Sequence, residues 1–360
     1  MRHQLFVLLL ALGACGSDTP APAPAPEAVA EKAAEAPEPA APTVDEKHTA
    51  IFAALPSSMD REGGPARTEA LVDLGRMLYY DTRLSSNQEQ SCNTCHQLAN
   101  FGVDSEPTSP GVKGERGGRN SPTSLNAAGH LAQFWDGREP DVEGQAKGPI
   151  LNPGEMNMPD AETVEKLLKS IPGYREAFKA AFPEAEAPIT YDNLALAIGA
   201  FERGLVTPSK WDAYLAGDAT ALTEAERKGA DDFMAAGCTA CHNGAYVGGQ
   251  MYAKLGQVVP YETADVGRME VTKNEADKHM FKVPSLRNIA KTGPYLHDGS
   301  VQTLDEMIVL MGKHQLGKDL DEATVASIKT FLEALTGELD EKYAAKPELP
   351  ANGPKTPGPA

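Results

Sequence analysis

Cys92-Asn93-Thr94-Cys95-His96 and Cys238-Thr239-Ala240-Cys241-His242 are two copies of one five-residue pattern, one in each half of the chain. Cysteines three apart share one face of a helical turn, and the histidine that follows can bring its ring beneath whatever the sulfurs hold. A Cys-x-x-Cys-His run is the attachment pattern of c-type haem. The two thiols add across the vinyl groups, and the imidazole becomes the proximal iron ligand. The competing reading, a redox or zinc cysteine pair that happens to precede a histidine, would have to arise twice. Two covalently held macrocycles also fill much of the core of any domain around them, which agrees with an aromatic content of only 6%.

The fifth cysteine stands apart. A basic start, Met1-Arg2-His3, leads into apolar residues 5–12 and then Leu12-Gly13-Ala14-Cys15. An apolar run this short cannot span a bilayer and reads as the core of a secretion signal over 1–15. Its end resembles the lipobox of bacterial lipoproteins, in which the cysteine is lipidated; a signal cut elsewhere is the alternative. Either version exports the chain, so the expected location is periplasmic, with a lipid anchor on Cys15. Residues 16–47 are mostly Ala, Pro and Glu, a composition that stays extended and reads as a tether. Residues 347–360 form a Pro/Gly-rich tail. The body between is long enough for two domains, one per haem motif, with expected limits 48–205 and 206–346. A formal net charge of −18 makes nucleic acid and anionic membrane faces poor partners.

The body reads as helices and long loops. Leu71, Leu74 and Leu78 recur at helical spacing, as do Val164, Leu167, Leu168 and Ile171 behind an Asp160 cap. Leu194, Ala197, Ile198, Phe201 and Leu205 repeat the pattern behind Thr190, and Val325, Ile328, Phe331, Leu332 and Leu335 form a last amphipathic helix. Thr223 and Glu226 make a capping box before Cys238. Residues 97–157 are rich in Gly, Pro, Asn and Ser without periodicity and read as a long functional loop covering the first haem. Two haems alone make an electron carrier, and an enzyme needs an open iron. A downstream methionine often closes the sixth position. After His242 the choices are Met251, Met269, Met280, Met307 and Met311; after His96 they are Met156 and Met158. Any of them could instead fill a core.

Phe134-Trp135-Asp136-Gly137-Arg138, Gln145-Ala146-Lys147-Gly148-Pro149, Glu155-Met156, Lys282 to Asn288, Pro294 to Gly299 and Leu310-Met311-Gly312 stand in a recognisable order and spacing. From about Leu55 to Gly337 the chain resembles the bacterial dihaem cytochrome c peroxidases. The resemblance implies an all-α fold of two cytochrome-c-like haem domains packed against each other, to which composition adds long loops and disordered termini. It implies a peroxidatic haem on His96 and a higher-potential haem on His242 and Met311, where electrons enter from a small exported donor, a cytochrome c or a cupredoxin. Hydrogen peroxide is reduced to water at the first haem. Glu155 matches the acid–base glutamate, Gln145 its companion amide, and Trp135 the tryptophan between the haems. A packed aromatic at 135 and a surface carboxylate at 155 are the plainer readings.

The same resemblance implies a calcium ion held by Asn120 and by the carbonyls of Thr292 and Pro294, and often a homodimer. His297 is expected to pack near that ion, and His130 to be a surface or packing histidine. The related MauG type, which oxidises a protein substrate, has tyrosine where Met311 stands; that type and a non-catalytic dihaem carrier are the alternative functions. Many family members carry a gating histidine in the loop after the first haem motif. Here that position falls on Val112, which cannot ligate iron.

Overall fold

The computed structural model describes residues 43–60, 64 and 66–359. The secretion signal, Cys15 and the tether up to residue 42 lie outside the described residues, as do 61–63, 65 and 360. Among the described residues the chain is all-α. Its helices run in the order α1 Glu46–Thr49, α2 Glu69–Tyr80, α3 Cys92–Cys95, α4 Val142–Leu151, α5 Ala161–Ser170, α6 Pro172–Ala181 and α7 Tyr191–Glu202. They continue as α8 Lys210–Leu215, α9 Glu224–Ala236, α10 Met269–Thr272, α11 Leu304–Leu316, α12 Glu322–Ala334 and α13 Glu341–Ala344. A two-stranded antiparallel ribbon, β1 Tyr252–Lys254 and β2 Met280–Lys282, pairs Tyr252 with Lys282 and Lys254 with Met280.

The periodic stretches form helices where expected, and side-chain oxygens start them. Thr68, Asp160, Thr190, Thr223 and Asp321 each accept the N–H three residues on, satisfying a donor that the first turn leaves open. Helix α4 sits inside the stretch read as loop. Its Gly144, Gly148 and Pro149 hide any apolar period, but Asp141 caps it, and Pro149, in the last turn, costs it a single N–H donor. Helix α11 also lacked a periodic signal, although Thr303 and Glu306 form a full capping box at its start.

Two pairs of crossing helices close two cores. Helix α2 crosses α7 around Leu71, Leu74, Leu78, Leu194, Ile198 and Phe201, all buried. Helix α9 crosses α12 around Phe233, Ile328, Phe331 and Leu332, with Trp211 of α8 beneath them. Each crossing is tight enough to demand glycine. A Cβ at Gly75 would run into the Ala197 carbonyl, and one at Gly229 into the Ser327 carbonyl. A third, smaller cluster of Leu255, Phe281 and Leu296 packs against Trp135, Met307 and Met311.

Neither core is built from one continuous stretch. Phe52 lies edge-on to Trp211 at 5.3 Å, so the segment around α1 packs with the second core. At the other end Tyr343 stacks on Phe201 at 5.2 Å, and Arg83 donates to the Pro350 carbonyl at 2.9 Å. The tail beyond α13 thus returns to the first core.

Candidate functional site

The two cysteine turns fold alike. His96 N–H donates to the Cys92 carbonyl at 2.9 Å, and His242 N–H to the Cys238 carbonyl at 3.0 Å. The first turn is α3, closed at its start by Ser91 and Thr94; the second is a 3-10 turn entered from Gly237 at φ 99°. All four cysteines are free, Cys92 packing on the first core and Cys238 on the second. Burial pushes all four thiols up, Cys95 and Cys238 to about 11. Such thiols are not the low-pKa thiolates of a redox pair. No group of three or more His, Cys, Asp or Glu poised for a metal ion occurs among the described residues, so a zinc reading lacks its ligand set.

Both histidines are prepared as ligands. His96 Nδ1 lies 2.9 Å from the Pro122 carbonyl, and His242 Nδ1 lies 3.4 Å from the Val247 carbonyl. A carbonyl only accepts, so in each ring Nδ1 carries the proton and Nε2 keeps its lone pair. Burial holds both rings neutral, His242 at about 4. A backbone acceptor on the far nitrogen is how a ligating histidine is oriented. Tyr79 adds a further constraint by donating to the His96 carbonyl at 2.8 Å. Paired thiols outside any disulfide, a neutral imidazole held through Nδ1 and an apolar wall beside each turn fit two haem c groups.

Glu155 comes to the first turn through the end of α4. Beyond Leu151 the chain folds back, with Glu155 N–H on the Asn152 carbonyl at 3.0 Å and Met156 N–H on the Pro149 carbonyl at 3.2 Å. Asn152 Nδ2 then donates to Glu155 Oε1 at 2.7 Å. Burial pushes this carboxyl up, while Asn152 and the Arg138 cation pull it back. Its charge is felt by both Cys92 and Cys95. Gln145 lies on the same helix, half-buried. Val112 stands beside Glu155, its N–H donating to the Glu155 carbonyl at 2.9 Å. Met156 and Met158 are buried in the first core.

Trp135 belongs to a different neighbourhood. Its Nε1 donates to the Asn120 carbonyl at 2.9 Å, and its own carbonyl accepts from Lys282 N–H at 2.8 Å. It therefore links the segment after the first turn to β2. Met311 packs on the same third cluster, and Lys318, just past α11, donates through Nζ to the Ala236 carbonyl at the end of α9 at 2.7 Å. Asn120 N–H donates to the His297 carbonyl at 2.7 Å, which brings residue 120 near the stretch holding Thr292 and Pro294; its side-chain Nδ2 is used on the Glu106 carbonyl. His297 packs, stacked on Phe281 at 4.5 Å.

Glu202 escaped the sequence reading. It ends α7, is buried, and burial together with Glu143 pushes its carboxyl to about 8, against the pull of Arg203. Its ionised form would act on Cys92 and Tyr79, so it too lies beside the first turn. An acid one residue past a fully apolar helical face was the available signal.

Fold and turns together define an all-α c-type protein built around two haems. Residues 69–220 match the model of the di-haem cytochrome c peroxidase family. The chain is 43% identical to a cytochrome c551 peroxidase of Pseudomonas aeruginosa over 326 residues, 89% of this chain and 93% of that protein. It is 47% identical to a cytochrome c551 peroxidase of Nitrosomonas europaea over 290 residues, 80% of this chain and 85% of that one. A solved MauG-like protein associated with microbial copper homeostasis shares the fold with a TM-score of 0.72 at 29% identity, over 81% of this chain and 97% of that one. The chain belongs to the di-haem cytochrome c peroxidase family, whose members carry two haem c groups, and it is an oxidoreductase.

Proposed function

We propose that the protein reduces hydrogen peroxide to water at the haem held by Cys92, Cys95 and His96. Electrons come from a small exported donor, a cytochrome c or a cupredoxin, and enter at the haem held by Cys238, Cys241, His242 and Met311. The observation that carries this reading is Glu155, anchored by Asn152 at 2.7 Å and within electrostatic reach of Cys92 and Cys95. When bound, each haem supplies an iron that exchanges single electrons.

What remains for the chain is proton handling, positioning and access. Peroxide reduction consumes two protons as well as two electrons, and cleaving the O–O bond unevenly requires a proton to move from one oxygen to the other. Glu155 can take it and return it through Oε2, because Oε1 is occupied by the Asn152 amide. Burial raises the carboxyl toward the working pH, which favours a group that must both accept and donate. Gln145 orients the peroxide through its uncharged amide. Trp135, tied to Asn120 on one side and Lys282 on the other, lies on the route between the two haem segments.

Residues 48–205 would carry the peroxidatic role and 206–346 the electron-entry role. Met311, where the MauG type has tyrosine, favours peroxide over a protein as the substrate. Calcium on Asn120, Thr292 and Pro294, export with a lipid anchor on Cys15 and a homodimer complete the reading; these rest on sequence and resemblance. Glu155→Gln tests it. The variant should keep two covalent haems per chain while peroxide turnover falls by roughly 10²–10⁴-fold, the usual scale for a positioned acid–base group. Near-normal turnover would return Glu155 to a structural carboxylate.

A further inference from the structure

Lys282 and His130 have so far been given no task, yet their side chains meet. Lys282 ends β2 and is only 9% exposed, and its Nζ lies 3.3 Å from His130 Nδ1. An ammonium group can only donate, so His130 Nδ1 accepts and the ring proton sits on Nε2. That Nε2 is buried and has no hydrogen-bond partner. No carboxylate among the described residues pairs with Lys282, and burial alone pushes its ammonium down to about 8. Burial and the neighbouring lysine push His130 well below its usual range, consistent with a neutral ring. The pair therefore presents donors and a positive charge, with no acceptor. A water could satisfy a donor but would leave the buried charge without a counter-ion, so the missing group is an anion with acceptor oxygens.

The pair lies next to the second cysteine turn. Leu131 N–H donates to the Gly249 carbonyl at 2.8 Å, and Gly249 N–H to the Val283 carbonyl at 2.9 Å. A Cβ at Gly249 would press on the His130 ring, and one at Gly248 on His242 Nδ1. These adjacent glycines thus separate His130 from the proximal imidazole by little more than one peptide. Tyr246 closes the side, edge-on to His130 at 5.6 Å.

We propose that Lys282 and His130 bind a propionate of the haem carried by Cys238 and Cys241, and that Lys282 thereby raises that haem's reduction potential. This rests on the two-haem reading above. A fixed positive charge beside a propionate offsets part of its negative charge and favours the reduced iron. His130 comes from the segment that follows the first haem turn, so the same contact fastens the second haem to the first haem's half of the chain.

The test is spectroelectrochemical titration of the purified dihaem protein and its Lys282→Met variant, with haem content measured on each. Fewer than two covalent haems in the wild type would sink the two-haem reading itself. With two haems present, Lys282→Met should lower one potential and leave the other in place, and Lys282→Arg should restore it. Unchanged potentials in Lys282→Met, with a raised thermal midpoint, would overturn the proposal and mark Lys282 as a merely tolerated buried cation. A shift confined to the other haem would overturn it as well. If Lys282→Met does not mature, Lys282→Gln, which keeps a donor without the charge, carries the same comparison. Resonance Raman spectra supply an independent readout in His130→Gln: the propionate-bending band should move, and an unmoved band would remove His130 from the site.

Discussion

Glu202 shows what burial does to a single acid. Its carboxyl has Glu143 for a neighbour and is raised from 4.5 to about 8, so the folded protein holds a proton there that the unfolded chain releases. For a raised carboxyl the contribution to stability is whole below about 4.5 and is lost as pH rises through about 8. Glu202→Gln mimics the protonated form and carries no such dependence. Its thermal midpoint should lie near that of the wild type at about pH 5 and increasingly above it toward about pH 8. Parallel pH profiles of the two proteins, followed by circular dichroism, would mean that Glu202 is ionised at neutral pH. Glu155 is raised for the same reason but keeps an amide donor, which suits a group that must give up its proton as well as hold it.

At the scale of elements, the end of α4 and the loop after Pro110 form one unit. Gly111 N–H donates to the Glu115 carbonyl at 2.8 Å, and Gly111 lies flush on Gly154, where a Cβ would meet the Gly154 carbonyl. The contact sets Val112 against the Glu155 backbone, while Met156 and Met158 are occupied in the first core. A valine offers no ligand there, so the oxidised protein should react with peroxide at once and show no lag after donor is added. Val112→His should create a low-spin resting haem whose reaction with peroxide requires prior reduction. Optical and EPR spectra before and after peroxide check both statements. A wild type that is wholly low-spin and inert until reduced would show that another residue does the gating.

At the scale of the whole molecule, two helix pairs of like construction each stand beside one cysteine turn, and the surroundings differ. The first turn has Glu155, Glu202 and Val112 near it; the second has Lys282 and His130, and Met311, its proposed ligand, packs on the third cluster. That asymmetry agrees with the proposed division into one reactive haem and one electron-entry haem. Met311→Ala should therefore lower only one of two midpoint potentials and leave haem content unchanged. Two unaltered potentials would pass the ligand role to another methionine, of which Met307, packed between the second core and the third cluster, is the nearest choice.

What the sequence determined by itself is local. A cysteine turn closes on its own histidine four residues on, and a cap acts three residues on, so Cys92 to His96, Cys238 to His242 and the helices behind Asp160, Thr190 and Thr223 were legible from spacing alone. Glu155, Gln145 and Trp135 were legible only through resemblance, because no local rule distinguishes them from other polar or aromatic loop residues. Helix α4 stayed hidden because glycine and proline broke its period. The tertiary structure alone decided the burial of Glu202, the packing of Phe52 on the second core and of the tail on the first, and the pairing of Lys282 with His130 across 152 residues. Such a pairing depends on how every intervening element packs, and a window of ten or fifteen residues carries no trace of it.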